Sequence, residues 1–294
     1  MDKVLVIIVT YNAHDWIHQC LNSVDMERYN AFVVDNASTD DTLSILQEEY
    51  PKAIVREMDK NLGFGQANNI GLRYALDNGY DYVLLLNQDA WLLPDTIEKL
   101  IAAQKQHLEY WILSPLQMNT EQGGVERHFA RFCEQSNIDF YSKKIENVGF
   151  VNAAVWFVSR QCVEVVGGFD SIFPHYGEDN DYIRRVQYWG GQIGVDTATI
   201  AYHEHPIAKK EMTLEQEIYR QRLVYMGIWK DINYSAVRGV IACWSVLCRK
   251  LLKSLLHADM RDLKLYWCAW VEAYSLKKEI ILHRQLSKKK GAFL

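Results

Sequence analysis

Tyr82-Val83-Leu84-Leu85-Leu86 is an unbroken apolar run that stops abruptly on Asn87-Gln88-Asp89. It is too short for a helix and has polar residues on both sides. It therefore reads as a strand buried on both faces, in the middle of a parallel sheet. In open α/β sheets ligands collect beyond the carboxyl ends of the strands. An Asp placed there, on rigid backbone, is well sited to hold a cation or another ligand. The alternative is that Asp89 caps a helix beginning near Pro94-Asp95, since Asp is a favoured N-cap.

The chain around this run alternates strand and helix. Val4 to Thr10 is predicted as a first buried strand, followed by a helix carrying Trp16, Ile17, Cys20, Leu21 and Val24 at helical spacing. Ala31 to Val34 is a second strand, closed by Asp35-Asn36-Ala37-Ser38-Thr39-Asp40, and a helix runs from about Thr42 to Glu49. Ile54 to Glu57 is a weaker third strand; the glycine-bearing stretch Asn61 to Gly71 and a helix to about Asn78 precede the Val83 strand. Such alternation predicts βαβ units and a doubly wound, mostly parallel sheet. Strands in right-handed crossovers share a direction, so Thr10-Tyr11-Asn12, Asp35-Asn36 and Asn87-Gln88-Asp89 should lie along one rim. Three polar clusters abutting buried strands favour a nucleotide-sized ligand.

Gly63-Phe64-Gly65 resembles part of a dinucleotide fingerprint, but the third glycine is misplaced and the preceding strand is weak, which argues against hydride transfer. Gly63 and Gly65 could still let backbone approach a ligand closely, with Asn68 and Asn69 supplying side-chain hydrogen bonds. The competing reading is a turn followed by a helix cap.

Further on, Ile97 to about Gln106 reads as a helix and Trp111 to Pro115 as a strand. Glu121 to Lys144 is polar and irregular, and is expected to be a mobile excursion over the site. Val148 to Ser159 is strand-like, with Asn152-Ala153-Ala154 small enough to pack against a substrate. Asp170, Glu178, Asp179 and Asp181 crowd one turn before a helix reaching Trp189, and Ile193 to Tyr202 returns as a strand ending in His203-Glu204-His205. Carboxylates at a helix start are partly stabilised by its dipole. They also raise one another's pKa, which suits a general base. A strand-terminal His beside an Asp at another strand end suits magnesium or manganese, while an edge strand with exposed imidazoles explains the histidines equally well.

In their order, Thr10-Tyr11-Asn12, Asp35 to Asp40, Asn61-Leu62-Gly63-Phe64, Asn87-Gln88-Asp89, Gly177-Glu178-Asp179-Asn180-Asp181 and a later strand-terminal His resemble family 2 inverting glycosyltransferases, within them the bacterial rhamnosyltransferase-like members. The resemblance spans roughly residues 3 to 206. It implies a GT-A fold, and an enzyme moving rhamnose or a hexose from a nucleoside-diphosphate sugar to a hydroxyl of a saccharide or lipid-linked acceptor in surface polysaccharide synthesis. It further implies that Thr10, Tyr11, Asn12, Asp35, Asn36, Asn61, Gly63, Gly65, Asn68, Asn87, Gln88 and Asp89 bind the donor. Asp89 and His203, with His205 as an alternative, would hold a divalent metal, magnesium or manganese. Asp179 would be the catalytic base with Glu178 beside it, and Asn152, His175 and Tyr176 would meet the acceptor. Asn87 departs from the family's acidic first metal position, so metal affinity is expected to be reduced. Two other readings stay open. A sugar-phosphate nucleotidyltransferase would want a basic phosphate loop near the first strand, and Thr10 to His18 holds no Lys or Arg. A non-catalytic nucleotide-sugar-binding protein is suggested by Asn87.

The net charge of −5 conceals an asymmetry: residues 246–294 carry eleven basic and four acidic side chains, +7, which leaves −12 for the rest. From Thr213 onward the chain reads as helical, with helices over 215–230, 234–256 and 262–286, the last rich in aromatics (Tyr266, Trp267, Trp270, Tyr274). Division into a catalytic domain, 1–210, and a helical extension, 211–294, follows. Basic helices with Trp and Leu on one face suit a membrane surface, and equally a bundle packed on the catalytic domain or on a second copy in a homodimer. The apolar stretch 240–247 is far below the ~20 residues of a membrane span. Six cysteines without metal-type pairing and the absence of a secretory leader predict a cytoplasmic protein with free thiols, at most peripheral to the inner membrane face. No nucleic-acid partner is expected.

Overall fold

The structure, a computed structural model, describes residues 2–120, 123–204 and 212–294, and of Glu134 the backbone alone. Its first half runs β1 (Val4–Thr10), α1 (Ile17–Asn22), β2 (Asn30–Asp35), α2 (Thr42–Glu49), β3 (Ile54–Glu57), α3 (Phe64–Asp77) and β4 (Tyr82–Asn87). Then come β5 (Ala90–Leu92), α4 (Thr96–Gln106), β6 (Tyr110–Asn119), β7 (Gly124–Val125), α5 (Arg127–Gln135) and β8 (Ile145–Asn147). After β9 (Val155–Ser159), α6 (Arg160–Val166), α7 (Glu178–Tyr188) and β10 (Gln192–His203), the chain closes with α8 (Leu214–Lys230), α9 (Ala236–Leu256), α10 (Met260–Ser275) and α11 (Lys277–Leu286).

One sheet carries the fold, in the order β3-β2-β1-β4-β9-β6-β10-β5, with β7 on β6 and β8 on β10. Its first four strands are parallel, as the alternation predicts. Beyond β4 the mostly parallel sheet takes in reversed strands. Strand β9 is antiparallel to both β4 and β6, β10 is parallel to β6, and β5 is antiparallel at the edge. The reason is topological. Strand β6 ends at the rim with Asn119 and β9 begins there with Val155 opposite Leu86, so the link between them needs no crossover of the sheet. The ends of β1, β2, β4, β6 and β10 therefore share one rim.

Alternation along β1 separates the two cores. Leu5 and Ile7 pack with Phe32, Val34 and Leu85 on one face. Val4, Val6 and Ile8 pack with Val33, Leu84 and Leu86 on the other. Helix α3 presses close because Gly71 lies over Ile7, where a Cβ would come 2.6 Å from Ile7 Cδ1. This helix begins at Phe64 with Gly63 as its N-cap, so Asn61 to Gly63 lead into it and Gly65 to Gly71 form its first turns, in line with the reading of a turn and a helix cap.

Two expectations about irregular segments change. Residues 121–144 contain helix α5, started by Glu126, whose carboxylate accepts from the backbone N–H groups of His128 and Phe129. Phe129 and Cys133, one turn apart, anchor it in the core. The strand expected over 148–159 is regular only from Val155.

The C-terminal helices have a core of their own, in which Tyr225, Trp229, Cys243, Leu247, Ala269 and Trp270 surround Phe173 of the sheet domain. A capping box between Thr213 and Gln216 starts α8, an arrangement worth about 1 kcal/mol. The proposed 210/211 boundary lies outside the described residues. The third tail helix divides at Leu276 into α10 and α11, although neither Gly nor Pro marks the place. The division turns Ile280, His283 and Arg284 inward, and Arg284 donates to the carbonyls of Trp229, Asp231 and Tyr234 past the end of α8. Cys20, Cys162, Cys243, Cys248 and Cys268 are free thiols, and of these Cys248 is exposed.

Candidate active site

At the rim, β1, β2 and β4 end side by side, with Thr10 opposite Asp35 and Val9 opposite Asn87 in the ladder. Side chains then knit the loops together. Thr10 Oγ1 donates to Asp35 Oδ1 at 3.0 Å, and the Ser38 N–H donates to Asp35 Oδ2 at 3.0 Å. Asp35 is thus buried and fully engaged, holding the turn that presents Asn36. Gln88 clasps Tyr11 at both ends: its Oε1 accepts from Tyr11 N at 2.7 Å and its Nε2 donates to Tyr11 O at 3.3 Å. Asn12, with φ of 50°, accepts from the Thr39 N–H at 2.8 Å. Asn36 Nδ2 donates to Asn61 Oδ1 at 2.9 Å, and its Oδ1 accepts from Leu62 N at 2.7 Å, which joins β2 to the start of α3. Tyr11, Asn12 and Asn61 remain exposed along this edge.

From Asn61 the surface continues into the carboxylate turn. Gly63 (φ 81°) lies against the Pro174 carbonyl, and a Cβ on Gly65 would meet Phe169 Cβ at 2.7 Å and Glu178 Cβ at 3.6 Å. The close approach of these glycines is thus to the protein's own segment 169–178. Asn68 also departs from its expected part. It is buried and donates to Phe64 O within its own helix. Asn69 brackets Phe169, accepting from its N–H at 2.6 Å and donating to its carbonyl at 2.8 Å.

Asp89 and His203, far apart in sequence, meet at the other end of the rim. Strand β5 pairs antiparallel with β10 so that His203 faces Ala90, and the Glu204 N–H donates to Asp89 O at 3.0 Å. His203 Nε2 lies 3.5 Å from Asp89 Oδ1, the imidazole buried and the carboxylate partly open. Helix α4 has Asp95, not Asp89, at its N-cap, which removes the capping alternative. Asn87 Oδ1 is buried without a hydrogen-bond partner, an uncommon state for a buried oxygen. No cluster of three His, Cys, Asp or Glu suited to a metal occurs among the described residues, and His205 lies outside them. One carboxylate, one imidazole and one amide oxygen fit a weakly charged divalent site that would need oxygens from a bound ligand to complete it.

Glu178 and Asp179 open α7 behind Gly177. Burial, and then the neighbouring Asp179, push the Glu178 carboxyl up to about 7. Its Oε2 is buried with no partner. Burial likewise raises Asp179, against the Asn180 N–H and side-chain amide that both donate to its Oδ1 and against the Arg184 charge. The remaining two acids of the turn have a different role. Asp170 and Asp181 are buried against Lys230 of α8, with Nζ at 2.8 and 2.6 Å, while His283 reaches Asp170 at 2.5 Å. Lys230 and His283 belong to the tail, and no local pattern in the sequence pairs them with these acids.

Beside the carboxylate turn is a hollow of about 750 Å³ between α5, the start of α7 and α8. Asn152 and Tyr176 line it, while His175 lies on an adjoining hollow that shares Tyr176. Arg184 and Arg220 also line it, and the sequence alone gave no signal for them.

Residues 5–161 match the sequence profile of Glycosyl transferase family 2. An N-acetylglucosaminyl-diphospho-decaprenol L-rhamnosyltransferase of Mycobacterium tuberculosis is 24% identical over 90% of this chain and 98% of its own length. The low-salt glycan biosynthesis hexosyltransferase Agl10 of Haloferax volcanii is 22% identical over 84% of each chain. Among solved structures, S. aureus TarS 1-349 in complex with UDP-GlcNAc superposes with a TM-score of 0.63 at 17% identity, over 97% of this chain and 90% of that one. The mannosyltransferase PcManGT of Pyrobaculum calidifontis, in complex with GDP-Man and Mn2+, gives 0.58 at 17% identity, over 98% and 88%.

Proposed function

Because the chain belongs to glycosyl transferase family 2, we propose that it transfers rhamnose or a hexose, with inversion, from a nucleoside-diphosphate sugar to a hydroxyl of a saccharide carried on a lipid. The observation that carries the mechanism is the acid pair opening α7: Glu178 has a buried, unpartnered oxygen and a pKa near 7, directly before Asp179. Asp179 takes the proton of the acceptor hydroxyl as that oxygen attacks the anomeric carbon. The bond from that carbon to the diphosphate oxygen breaks on the opposite face, and the nucleoside diphosphate leaves with the electron pair. A base of this kind contributes roughly 10²–10⁴-fold. Glu178, its carboxyl pushed up to about 7 by burial and by Asp179, holds a proton over much of the range below neutrality, which lessens the negative charge crowding Asp179.

Tyr11, Asn12, Asn36, Asn61 and Gln88 support donor binding as a continuous polar edge, with Thr10 and Asp35 fixing its backbone. Asn87, Asp89 and His203 would hold a divalent ion. When bound, such an ion would neutralise charge on the departing diphosphate. Asn152, His175 and Tyr176 are assigned to the acceptor side. The lipid carrier is suggested by the mycobacterial relative, whose name specifies a diphospho-decaprenol acceptor.

No described helix is long and apolar enough to cross a membrane. The outer side of α9 nonetheless exposes Val237, Ile241, Trp244, Leu252 and Leu255, with Arg249 and Lys253 on the same helix, which supports contact with an anionic membrane surface. Trp267 and Tyr274 of α10 are exposed as well, whereas Trp270 is core, stacked on Trp229 at 6.0 Å. Flotation of wild-type and Trp244→Glu/Leu252→Glu protein with anionic liposomes tests this. Equal flotation removes the membrane reading, and a concentration-dependent dimer lost in the variant would assign the face to a second copy.

The function itself is tested by screening nucleoside-diphosphate sugars for thermal stabilisation with manganese, then following donor hydrolysis and transfer. Asp179→Asn should abolish transfer and keep donor binding. Loss of both would make Asp179 structural.

A further inference from the structure

We infer that the hollow beside the carboxylate turn is a diphosphate-lipid subsite, in which Arg184 and Arg220 clamp the diphosphate that links the acceptor sugar to its hydrocarbon carrier. This rests on the acceptor reading given above and adds to it the residues and the group they recognise.

The hollow abuts the chemistry, since Gly177 and Asn180, which bracket Glu178 and Asp179, form part of its wall. Arg184 follows Asn180 by one helical turn, so the two share a face of α7. Across from it, Arg220, Leu223 and Ile228 lie on one stripe of α8. Glycine inside a helix costs about 1 kcal/mol relative to alanine, yet Gly227 sits in the interior of α8. A Cβ there would stand 3.0 Å from Arg184 Nη1, so this glycine makes room for the guanidinium. Asp231 approaches Arg184 at Nε, 3.5 Å away. Arg220 has no ion-pair partner among the described residues, and its guanidinium lies 4.5 Å over the Tyr176 ring. Tyr176 takes a left-handed backbone (φ 68°) immediately before Gly177 (φ 88°). That conformation costs a non-glycine residue of the order of 1 kcal/mol, and here it accompanies a ring set beneath the arginine.

Charge and polarity specify the ligand. Two arginines and His128 line the hollow and no carboxylate does, although residues 1–245 carry −12 overall. Guanidinium forks match phosphate oxygens in paired hydrogen bonds. Phe132, Leu223 and Ile228 supply an apolar wall, which a free nucleotide or a bare sugar would leave unused. Asn152 Oδ1, buried in the same wall without a partner, is an acceptor for a sugar hydroxyl or amide N–H. Sugar, diphosphate and hydrocarbon in sequence satisfy all three kinds of surface.

The test uses the full chain and farnesyl diphosphate as probe, with farnesol and inorganic pyrophosphate as comparisons, read by calorimetry with and without a saturating nucleoside diphosphate. Farnesyl diphosphate should bind wild type with at least tenfold higher affinity than either comparison, and should still bind when the nucleoside diphosphate is present. Arg220→Ala should weaken it tenfold or more, and Arg220→Lys should recover part of the loss. Gly227→Ala, which crowds Arg184, should weaken it as well. Arg220 is exposed and makes no ion pair among the described residues, so its variants keep the test independent of folding. The inference is overturned if farnesyl diphosphate does not bind, if Arg220→Ala binds it as wild type does, or if the nucleoside diphosphate displaces it, which would assign the arginines to the donor. Failure of the transferase reading is separate: wild type would then neither bind nor hydrolyse any nucleoside-diphosphate sugar.

Discussion

Lys230 of α8 is buried with its ammonium 2.6 Å from the carboxylate of Asp181 on α7, two residues beyond Asp179. The same ammonium meets Asp170 at 2.8 Å and Ser287 at 2.8 Å, and Asp181 also accepts from Arg185 at 2.9 Å. The C-terminal helices are therefore tied to the helix that carries the proposed base.

Replacing Lys230 by Met should leave two buried carboxylates facing each other and destabilise the fold by about 3 kcal/mol, the low end for a broken buried pair because Arg185 and His283 remain. Burial works against the charge on Asp170, but His283 and Lys230 hold its carboxyl below the usual range. A depressed carboxylate contributes stability above its unfolded pKa and loses it as pH falls through the folded one. The wild-type advantage should thus be complete at pH 6 and shrink below about pH 4. Denaturant unfolding of both proteins at pH 3.5 and 6 measures this, and a difference under 1 kcal/mol at pH 6 would contradict it.

Glu178 has the opposite sign. Its pKa rises on folding from 4.5 to about 7. The folded state therefore binds the proton more tightly, and stability declines as pH rises from about 4.5 to 7. Glu178→Gln should have little effect at pH 4 and should stabilise the protein at pH 8, by up to about 3 kcal/mol. Melting temperatures across that range are the measurement. A uniform shift at all pH values would mean the side chain acts by packing alone.

At the other end of the rim, Asn87→Asp should add a charge beside Asp89 and strengthen manganese binding at least tenfold, while His203→Ala should weaken it. Isothermal titration with a nucleoside diphosphate present measures both. Unchanged affinity in the two variants would place the metal elsewhere.

Phe293 packs its ring 5.8 Å from His283 and beneath the Arg185 guanidinium at 5.1 Å, while its carbonyl accepts from Asn69. Phe293→Ala should cost about 2 kcal/mol from lost apolar and cation–π contact. Because Asn69 and Gly168 are held from the same segment, donor hydrolysis should fall with it. A variant as stable as wild type would show that this segment does not brace the carboxylate turn.

Much of the sheet was legible because its signals are local. Val4 to Thr10 and Tyr82 to Asn87 are apolar runs ended by polar residues, and both strands form where that pattern puts them. Helix α5 was missed because Phe129 and Cys133 anchor it within an otherwise polar stretch. The break at Leu276 carries no Gly or Pro, and only the pull of Arg284 and His283 toward α8 and Asp170 explains it. Asn68 looked like a ligand donor because amides in a glycine-rich stretch often are, yet in the structure it bonds to its own helix.

By itself the sequence determined which residues stand at strand ends, since buried β-runs and their polar stops follow from hydrophobic periodicity. It also set the order of motifs that marks the family. The motif order further implied that His203 meets Asp89, which the antiparallel pairing of β5 and β10 brings about. Tertiary structure alone decided that Lys230 meets Asp170 and Asp181 and that Arg184 and Arg220 line one hollow. Such meetings depend on how helices and strand edges pack, and no spacing along the chain encodes them.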